Sequence, residues 1–469
     1  MTTANQETIE AKTESVCPEC LARIPAERVI RGGDVYLRKH CPQHGQFETI
    51  VWRGDPAYTT WIHPKIPAYP QAPFTSVDRG CPYDCGLCPD HRQQTCTALL
   101  EVTQRCNLRC PVCFADAGTS IPDPSLDTIS MWYQRLLEAG GPYNVQLSGG
   151  EPTLRDDLPE IVAMGRAMGF SFIQVNTNGL RLATDPDYVS ALKQAGLASV
   201  FLQFDGTDDG IYRHLRGANL LAKKITAIER CAQHQIGVVL VPTLVPGVNV
   251  SAVGAIIDFA LARAPAVRGV HFQPISYFGR YPHAPGDSQR VTIPEIIRAI
   301  ETETGGLIPQ TVFAPPACEN ARCSFHGNFV LMPDGRLHPW SQHAPAQSCC
   351  CNPTDAAEGA ARARSFVATK WISPDSILPV ANGPSLGEWD VVLERARTHA
   401  FSISGMAFQD AWTLDLERLR DCCIHTVSPD GRLIPFCAYN LTSRTGQTLY
   451  RGHHAVDTSG PLDRQQDRS

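Results

Sequence analysis

Two stretches of this 469-residue chain place three cysteines at the same C-x3-C-x2-C spacing: Cys81, Cys85 and Cys88, then Cys106, Cys110 and Cys113. Three thiolates that close together hold three corners of one iron–sulfur cube and leave the fourth iron without a protein ligand. An open iron is what binding and reducing S-adenosylmethionine (SAM) requires. The plainer alternative is a structural zinc knot, or three unrelated buried thiols. Spacing alone does not distinguish the two triplets, but their settings do. Cys106 directly follows the apolar run 99–104, read as a strand. The earlier triplet has Cys96 close behind it, a fourth thiolate that would close the cube and leave an electron carrier.

The chain holds 19 cysteines at net charge −6, with 43% hydrophobic and 19% charged residues. A mildly acidic chain without a basic run argues against a nucleic-acid partner. No apolar run reaches the roughly 18–20 residues of a membrane span, and the opening MTTANQETIEAKTE has no secretory or transit pattern. The expected location is cytoplasmic, or peripheral to a membrane. In a reducing compartment, clustered cysteines point to metal rather than to a disulfide framework.

Residues 1–74 read as a small rubredoxin- or zinc-ribbon-like module with a proline-rich linker. Cys17 and Cys20 precede a hairpin around Gly32-Gly33, and Cys41 and His44 follow it. Two such knuckles suit one tetrahedral ion, zinc or a single iron, whose binding would supply much of the folding energy of so small a unit. Residues 75–98 form an auxiliary-cluster segment. From 99 to 303, strand patterns at 99–104, 144–148, 171–176, 199–204, 237–243 and 269–274 alternate with amphipathic helical stretches. Alternating βα units predict a parallel sheet. Six units are too few for an eight-fold barrel, so the expected fold is an α/β partial (β/α)6 barrel, with reactive groups at the C-terminal strand ends. The second strand ends in Ser148-Gly149-Gly150-Glu151, the third near Asn178 and the fourth near Gln203 and Asp205. An ordinary strand-to-helix turn explains any one of these; a three-cysteine loop after strand one together with Gly-Gly-Glu after strand two is a specific pair.

Residues 304–455 break this rhythm and read as a C-terminal auxiliary-cluster domain. Two hairpins with Asp-Gly turns, in NFVLMPDGRLHPW and HTVSPDGRLIPFC, sit among cysteines. The expected ligands of a second closed cluster are Cys318, Cys323, Cys423 and Cys437, with Cys422 as the alternative to Cys423. Cys349, Cys350 and Cys351 are assigned to no site, Cys231 is read as a core thiol, and residues 456–469 as a disordered tail. His271 and Tyr277 are the side chains first to examine beyond the cysteines.

Cys106-x3-Cys110-x2-Cys113-Phe114 followed by Gly149-Gly150-Glu151-Pro152 resembles the radical SAM superfamily. That resemblance implies a SAM-binding 4Fe-4S cluster on Cys106, Cys110 and Cys113. It implies SAM contacts at Gly149, Gly150, Glu151, Asn178 and Asp205, extended to Ser148, Gln203, Thr243 and Gln273. It also implies reductive cleavage of SAM to a 5′-deoxyadenosyl radical that abstracts hydrogen from a substrate, with a low-potential donor such as ferredoxin or flavodoxin. The order CPEC…KHCPQHGQF, RGCPYDCGLCPDH, EVTQRCNLRCPVCFADAG and DAWTLDLERLRDCCIHTVSPDGRLIPFCAYN is similar to the branch that includes the archaeal tetraether lipid synthase, some members of which carry a pterin dimethyltransferase label. That narrower resemblance implies two auxiliary 4Fe-4S clusters and carbon–carbon bond formation on a lipid hydrocarbon chain. The alternative is methylation of a pterin-like small molecule. A non-enzymatic iron–sulfur electron carrier or zinc-ribbon interaction protein is the competing class; it leaves the open triplet facing Gly149-Gly150-Glu151 unexplained.

Overall fold

The computed structural model describes residues 7–118, 121–340, 353–374 and 388–451. Cys349, Cys350, Cys351 and the tail 456–469 lie outside these residues.

The N-terminal module is an antiparallel sheet of β1 (Thr8–Val16), β2 (Arg23–Arg31), β3 (Asp34–Cys41) and β4 (Gly45–Trp52), in that order. The expected hairpin is β2–β3, turning at Gly32-Gly33, both at positive φ. β1 has no counterpart in the sequence reading, because its TIEAKTESV is largely polar and its first residues are exposed. The module is docked on the rest of the chain. Arg28 reaches Asp415 at 2.8 Å and Glu417 at 2.6 Å, and buried Lys39 donates to the Ala411 carbonyl at 2.7 Å.

The second sheet is mixed, with eleven strands in its main order and a two-residue strand, Thr243–Leu244, paired beside Val267–Pro274. Its centre is built from β5 (Thr97–Thr103), β6 (Asn144–Gly149), β7 (Ile173–Thr177), β8 (Ser199–Gln203), β9 (Gly237–Val241) and β10 (Val267–Pro274). Neighbours pair in parallel throughout. These are the six predicted strands, and their apolar runs are covered on both faces: all five residues of β9, GVVLV, are buried. Helices cover the outer face. In Leu126–Glu138, Ser125 caps the start by accepting from the Thr128 amide at 3.1 Å, and Ile129, Tyr133 and Leu136 are fully buried. Each such apolar side chain contributes about 1.5–3 kcal/mol.

The C-terminal stretch contributes β11 (Ser324–Leu331), β12 (Leu337–Pro339), β13 (Ala400–Met406), β14 (Ile424–Val427) and β15 (Leu433–Pro435). The two predicted Asp-Gly hairpins are β11–β12 and β14–β15. β13 joins β10 in parallel and β14 joins β5 in parallel. The sheet order is therefore β12-β11-β13-β10-β9-β8-β7-β6-β5-β14-β15, a parallel run of eight with antiparallel hairpin strands outside it. The strands between Ser324 and Pro435 thus extend the barrel sheet at both edges. The result is a partial α/β barrel whose C-terminal strand ends and N-terminal strand ends both open on one cavity.

Candidate active site and metal-ligand clusters

β5 runs directly into the loop carrying Cys106, Cys110 and Cys113, all partly exposed. The loop is pinned from the far side of the barrel: Cys113 and Arg280 exchange backbone hydrogen bonds at 2.9 and 3.0 Å. The Gly149-Gly150 turn lies against the residues just before Cys106. The Gly150 amide donates to the Thr103 carbonyl and the Glu151 amide to the Arg105 carbonyl, both at 2.8 Å. A Cβ on Gly149 or Gly150 would stand 2.1 Å from one of those carbonyl oxygens, and Gly149 has φ +121°, so only glycine fits this contact. Burial pushes the Cys106 thiol up to about 11, with Glu151 and the other two thiols adding to the effect. Ligation would hold it as the thiolate.

The cavity that opens beside this loop has a volume of about 1200 Å³. Its wall includes the three cysteines and Ser148, Gly149, Gly150, Glu151, Asn178, Gln203, Thr243 and Gln273. Of the residues singled out for SAM, Asp205 departs from the expectation. It is fully buried, and its carboxylate is taken by Arg216 at 2.7 and 2.8 Å and by the Thr243 amide at 3.1 Å. Arg216 lines the cavity instead. Burial works against its charge and Asp205 more than restores it, so its pKa is raised. Glu151 is also occupied by protein: its carboxylate accepts from the Thr153 amide, the Thr177 hydroxyl and the Asn178 amide at 3.1, 2.6 and 2.7 Å. It braces the ends of β6 and β7. Asn178 donates to Asn107 inside the cysteine loop at 2.7 Å. Buried Lys224 donates to the Asn178 carbonyl and to Gln203 at 2.5 and 3.1 Å. Arg216, Lys224 and Asn107 were missed in the sequence because each acts through a partner on a different element.

His271 lines the cavity and bonds Ser404 at 2.9 Å; burial pulls its imidazole down to about 4, so it is neutral near pH 7. The Tyr277 hydroxyl donates to the Gln289 carbonyl at 2.9 Å. Cys231 is a core thiol, 1% exposed.

The remaining cysteines form groups that the sequence divided differently. Cys17, Cys20, Cys41 and His44 converge as expected, with ligand atoms all within 4.8 Å of one another and His44 Nδ1 3.4 Å from Cys41 Sγ. Cys81, Cys85 and Cys88 line a much smaller hollow with His91 and Leu419. Cys96 does not line that hollow. It joins Cys318 and Cys423, again within 4.8 Å, because the parallel pairing of β5 with β14 brings residues 96 and 423 together. Cys323 and Cys437 are outside that group: Cys323 Sγ accepts from Arg418 at 3.4 Å and Cys437 Sγ from the Gln409 amide at 3.3 Å. Of the expected set, Cys318 and Cys423 thus belong to this close group. Burial raises the Cys422 thiol, with Cys437 and Cys323 among the nearby groups that add to it.

The donor set fits an iron–sulfur cluster at Cys106, Cys110 and Cys113: three soft thiolates face a cavity across a glycine turn that leaves room for a ligand. Comparison with known proteins agrees. Residues 100–260 match the radical SAM superfamily, and residues 9–53 match the HMPTM N-terminal zinc ribbon domain. The 7,8-dihydro-6-hydroxymethylpterin dimethyltransferase of Methanocaldococcus jannaschii is 35% identical over 93% of this chain and 94% of its own length. A probable GTP 3′,8-cyclase of Archaeoglobus fulgidus is 26% identical over 51% of this chain and 83% of its own. The structure of SuiB from Streptococcus suis aligns with 45% of this chain and 46% of its own at TM-score 0.38 and 15% identity. On its sequence match to the superfamily and to the near full-length Methanocaldococcus relative, this chain is a radical SAM enzyme and belongs to the same family as that relative.

Proposed function

We propose that this enzyme abstracts hydrogen from an unactivated C–H bond of a long apolar chain held in the barrel cavity, leading to carbon–carbon bond formation on a lipid hydrocarbon. The observation that carries the substrate class is the cavity. Its volume of about 1200 Å³ is shared with the cluster and SAM; what favours an apolar substrate is its wall, which includes Phe172, Phe201, Phe325, Phe366, Trp371 and Phe408. No helix among the described residues is long and apolar enough to cross a membrane.

The residue roles follow from position. Cys106, Cys110 and Cys113 would hold the catalytic 4Fe-4S cluster, and the chemistry it would supply when bound is one-electron reductive cleavage of SAM. Gly149 and Gly150 expose backbone to the SAM amino group. Arg216, aimed by Asp205 and Thr243, offers a cation for the SAM carboxylate. Ser148, Asn178, Gln203, Thr243 and Gln273 line the wall as hydrogen-bonding groups, and Glu151 positions Asn178. The aromatic walls exclude water from the reacting carbon. Cys81, Cys85 and Cys88 serve an auxiliary cluster, the N-terminal ribbon holds zinc or iron, and a ferredoxin- or flavodoxin-class donor supplies electrons.

A second reading has its own support. The relative that shares 35% identity is named as a pterin dimethyltransferase, and sequence similarity backs methylation of a pterin-like molecule better than chain coupling. Lipid and pterin profiles of cells with and without the gene separate the two. Loss of coupled chains supports the first reading, and loss of methylated pterins with unchanged lipids overturns it in favour of the second.

A further inference from the structure

The helix Leu221–Gln233 turns Lys224, Ala227, Ile228 and Cys231 toward the core, a face that apolar residues ordinarily fill. Lys224 is the exception on it. The side chain is fully buried, and no ion pair to it occurs among the described residues. The carboxylates nearby are committed elsewhere: Asp205 to Arg216 at 2.7 Å, Glu151 to the Thr177 hydroxyl at 2.6 Å and the Asn178 amide at 2.7 Å. Burying an ammonium without a counter-ion is costly, and a methionine would suit the core better.

An ammonium has three N–H donors and no acceptor. Lys224 Nζ donates to the Asn178 carbonyl at 2.5 Å and to Gln203 Oε1 at 3.1 Å, and the Tyr212 ring lies 5.9 Å away. Both acceptors stand at the C-terminal ends of the paired strands β7 and β8, on the cavity wall beside the Cys106 loop. Because the ammonium only donates, it holds the Gln203 side chain with its oxygen turned inward. The Gln203 amide nitrogen is left to the cavity, with no protein partner among the described residues. To a ligand, Gln203 therefore offers N–H donors alone. The second acceptor leads to the cysteine loop. Asn178 Oδ1 accepts from the Leu180 amide at 3.0 Å, and its Nδ2 donates at 2.7 Å to Asn107, next to Cys106. Lys224 itself does not line the cavity.

We propose that Lys224 is a positioning residue for SAM, orienting Gln203 so that its amide N–H donates to an acceptor atom of SAM. The role rests on SAM lying against Gln203, as in the function proposed above, and not on which substrate the enzyme takes.

The test is equilibrium dialysis of SAM against the cluster-reconstituted full chain. Gln203→Ala removes the donor and Lys224→Met removes its anchor; each should weaken SAM binding about 10-fold, the worth of one hydrogen bond to a ligand. The two side chains act through one contact, so the double variant should also bind about 10-fold more weakly than the parent, not about 100-fold. Gln203→Glu keeps an oxygen for Lys224 and removes the N–H donors. It should melt no lower than the parent and still bind SAM at least about 10-fold more weakly. Losses that multiply in the double variant, or parental binding by Lys224→Met beside weakened binding by Gln203→Ala, would make Lys224 a core residue only and overturn the proposal. Parental binding by Gln203→Glu would overturn it even where Lys224→Met does not fold. Parental binding by Gln203→Ala would overturn the placement of SAM against Gln203, and the role of Lys224 with it.

Discussion

The two C-x3-C-x2-C loops are identical in spacing and opposite in surroundings. Cys81 and Cys85 are buried, packed among Leu419, Pro435 and Tyr450, and the hollow beside them is small. Cys106, Cys110 and Cys113 are partly exposed on the wall of a cavity of about 1200 Å³. Adjacent residues near the C-terminus serve both loops. The Tyr450 hydroxyl accepts from the Cys85 amide at 3.0 Å and donates to the Pro82 carbonyl at 2.7 Å. Arg451 reaches Glu101 on β5, the strand that leads to Cys106, at 2.5 Å. The spacing provides the thiolates; the room in front of them determines whether an iron can meet SAM.

That contrast is open to attack at several points. The largest effect short of removing a ligand is expected at the glycine turn. In Gly150→Ala the added methyl would overlap the Arg105 carbonyl, and SAM cleavage should fall by about 100-fold or more, while the visible absorbance of the cluster persists. Unchanged cleavage would mean that SAM does not approach by this turn.

Next comes the tie between the two loops. Arg451→Met leaves the Glu101 charge buried with only the neutral donors Gln104 and Tyr439, and denaturant unfolding should show a loss of about 3–5 kcal/mol. The pair is 10% and 6% exposed, so solvent screens it little. A loss below about 1 kcal/mol, the range of exposed pairs, would show that Arg451 does not brace the strand leading to Cys106.

The smallest effect concerns His271. Its folded pKa of about 4 lies below the unfolded value of about 6.5. Its contribution is fully present above pH 6.5 and is lost as pH falls toward 4, because the unfolded chain takes up the proton first. In His271→Leu, the decline of Tm between pH 6.5 and 4.5 should be shallower than in the parent. An identical slope would show that the imidazole protonates freely in the folded state.

The sequence made the barrel strands legible because β5 to β10 are short apolar runs separated by amphipathic helices. The Asp-Gly hairpins and the ribbon ligands were legible for local reasons of the same kind. What could not be read was non-local. β13 and β14 look like ordinary short strands, and only the assembled sheet shows that they flank β10 and β5. That pairing moves Cys96 from the Cys81 loop to Cys318 and Cys423. Likewise Asp205 looked like a ligand-facing carboxylate, and the structure turns it inward to Arg216, leaving the cation on the cavity wall.

The central claim is that the Cys106 loop, and not its copy, is where SAM is cleaved. The direct measurement is release of 5′-deoxyadenosine from SAM by reduced, cluster-reconstituted protein, comparing the parent with Cys106→Ala and Cys81→Ala. The account predicts release by the parent, none by Cys106→Ala, and continued release by Cys81→Ala. Release at the parental rate by Cys106→Ala would contradict it.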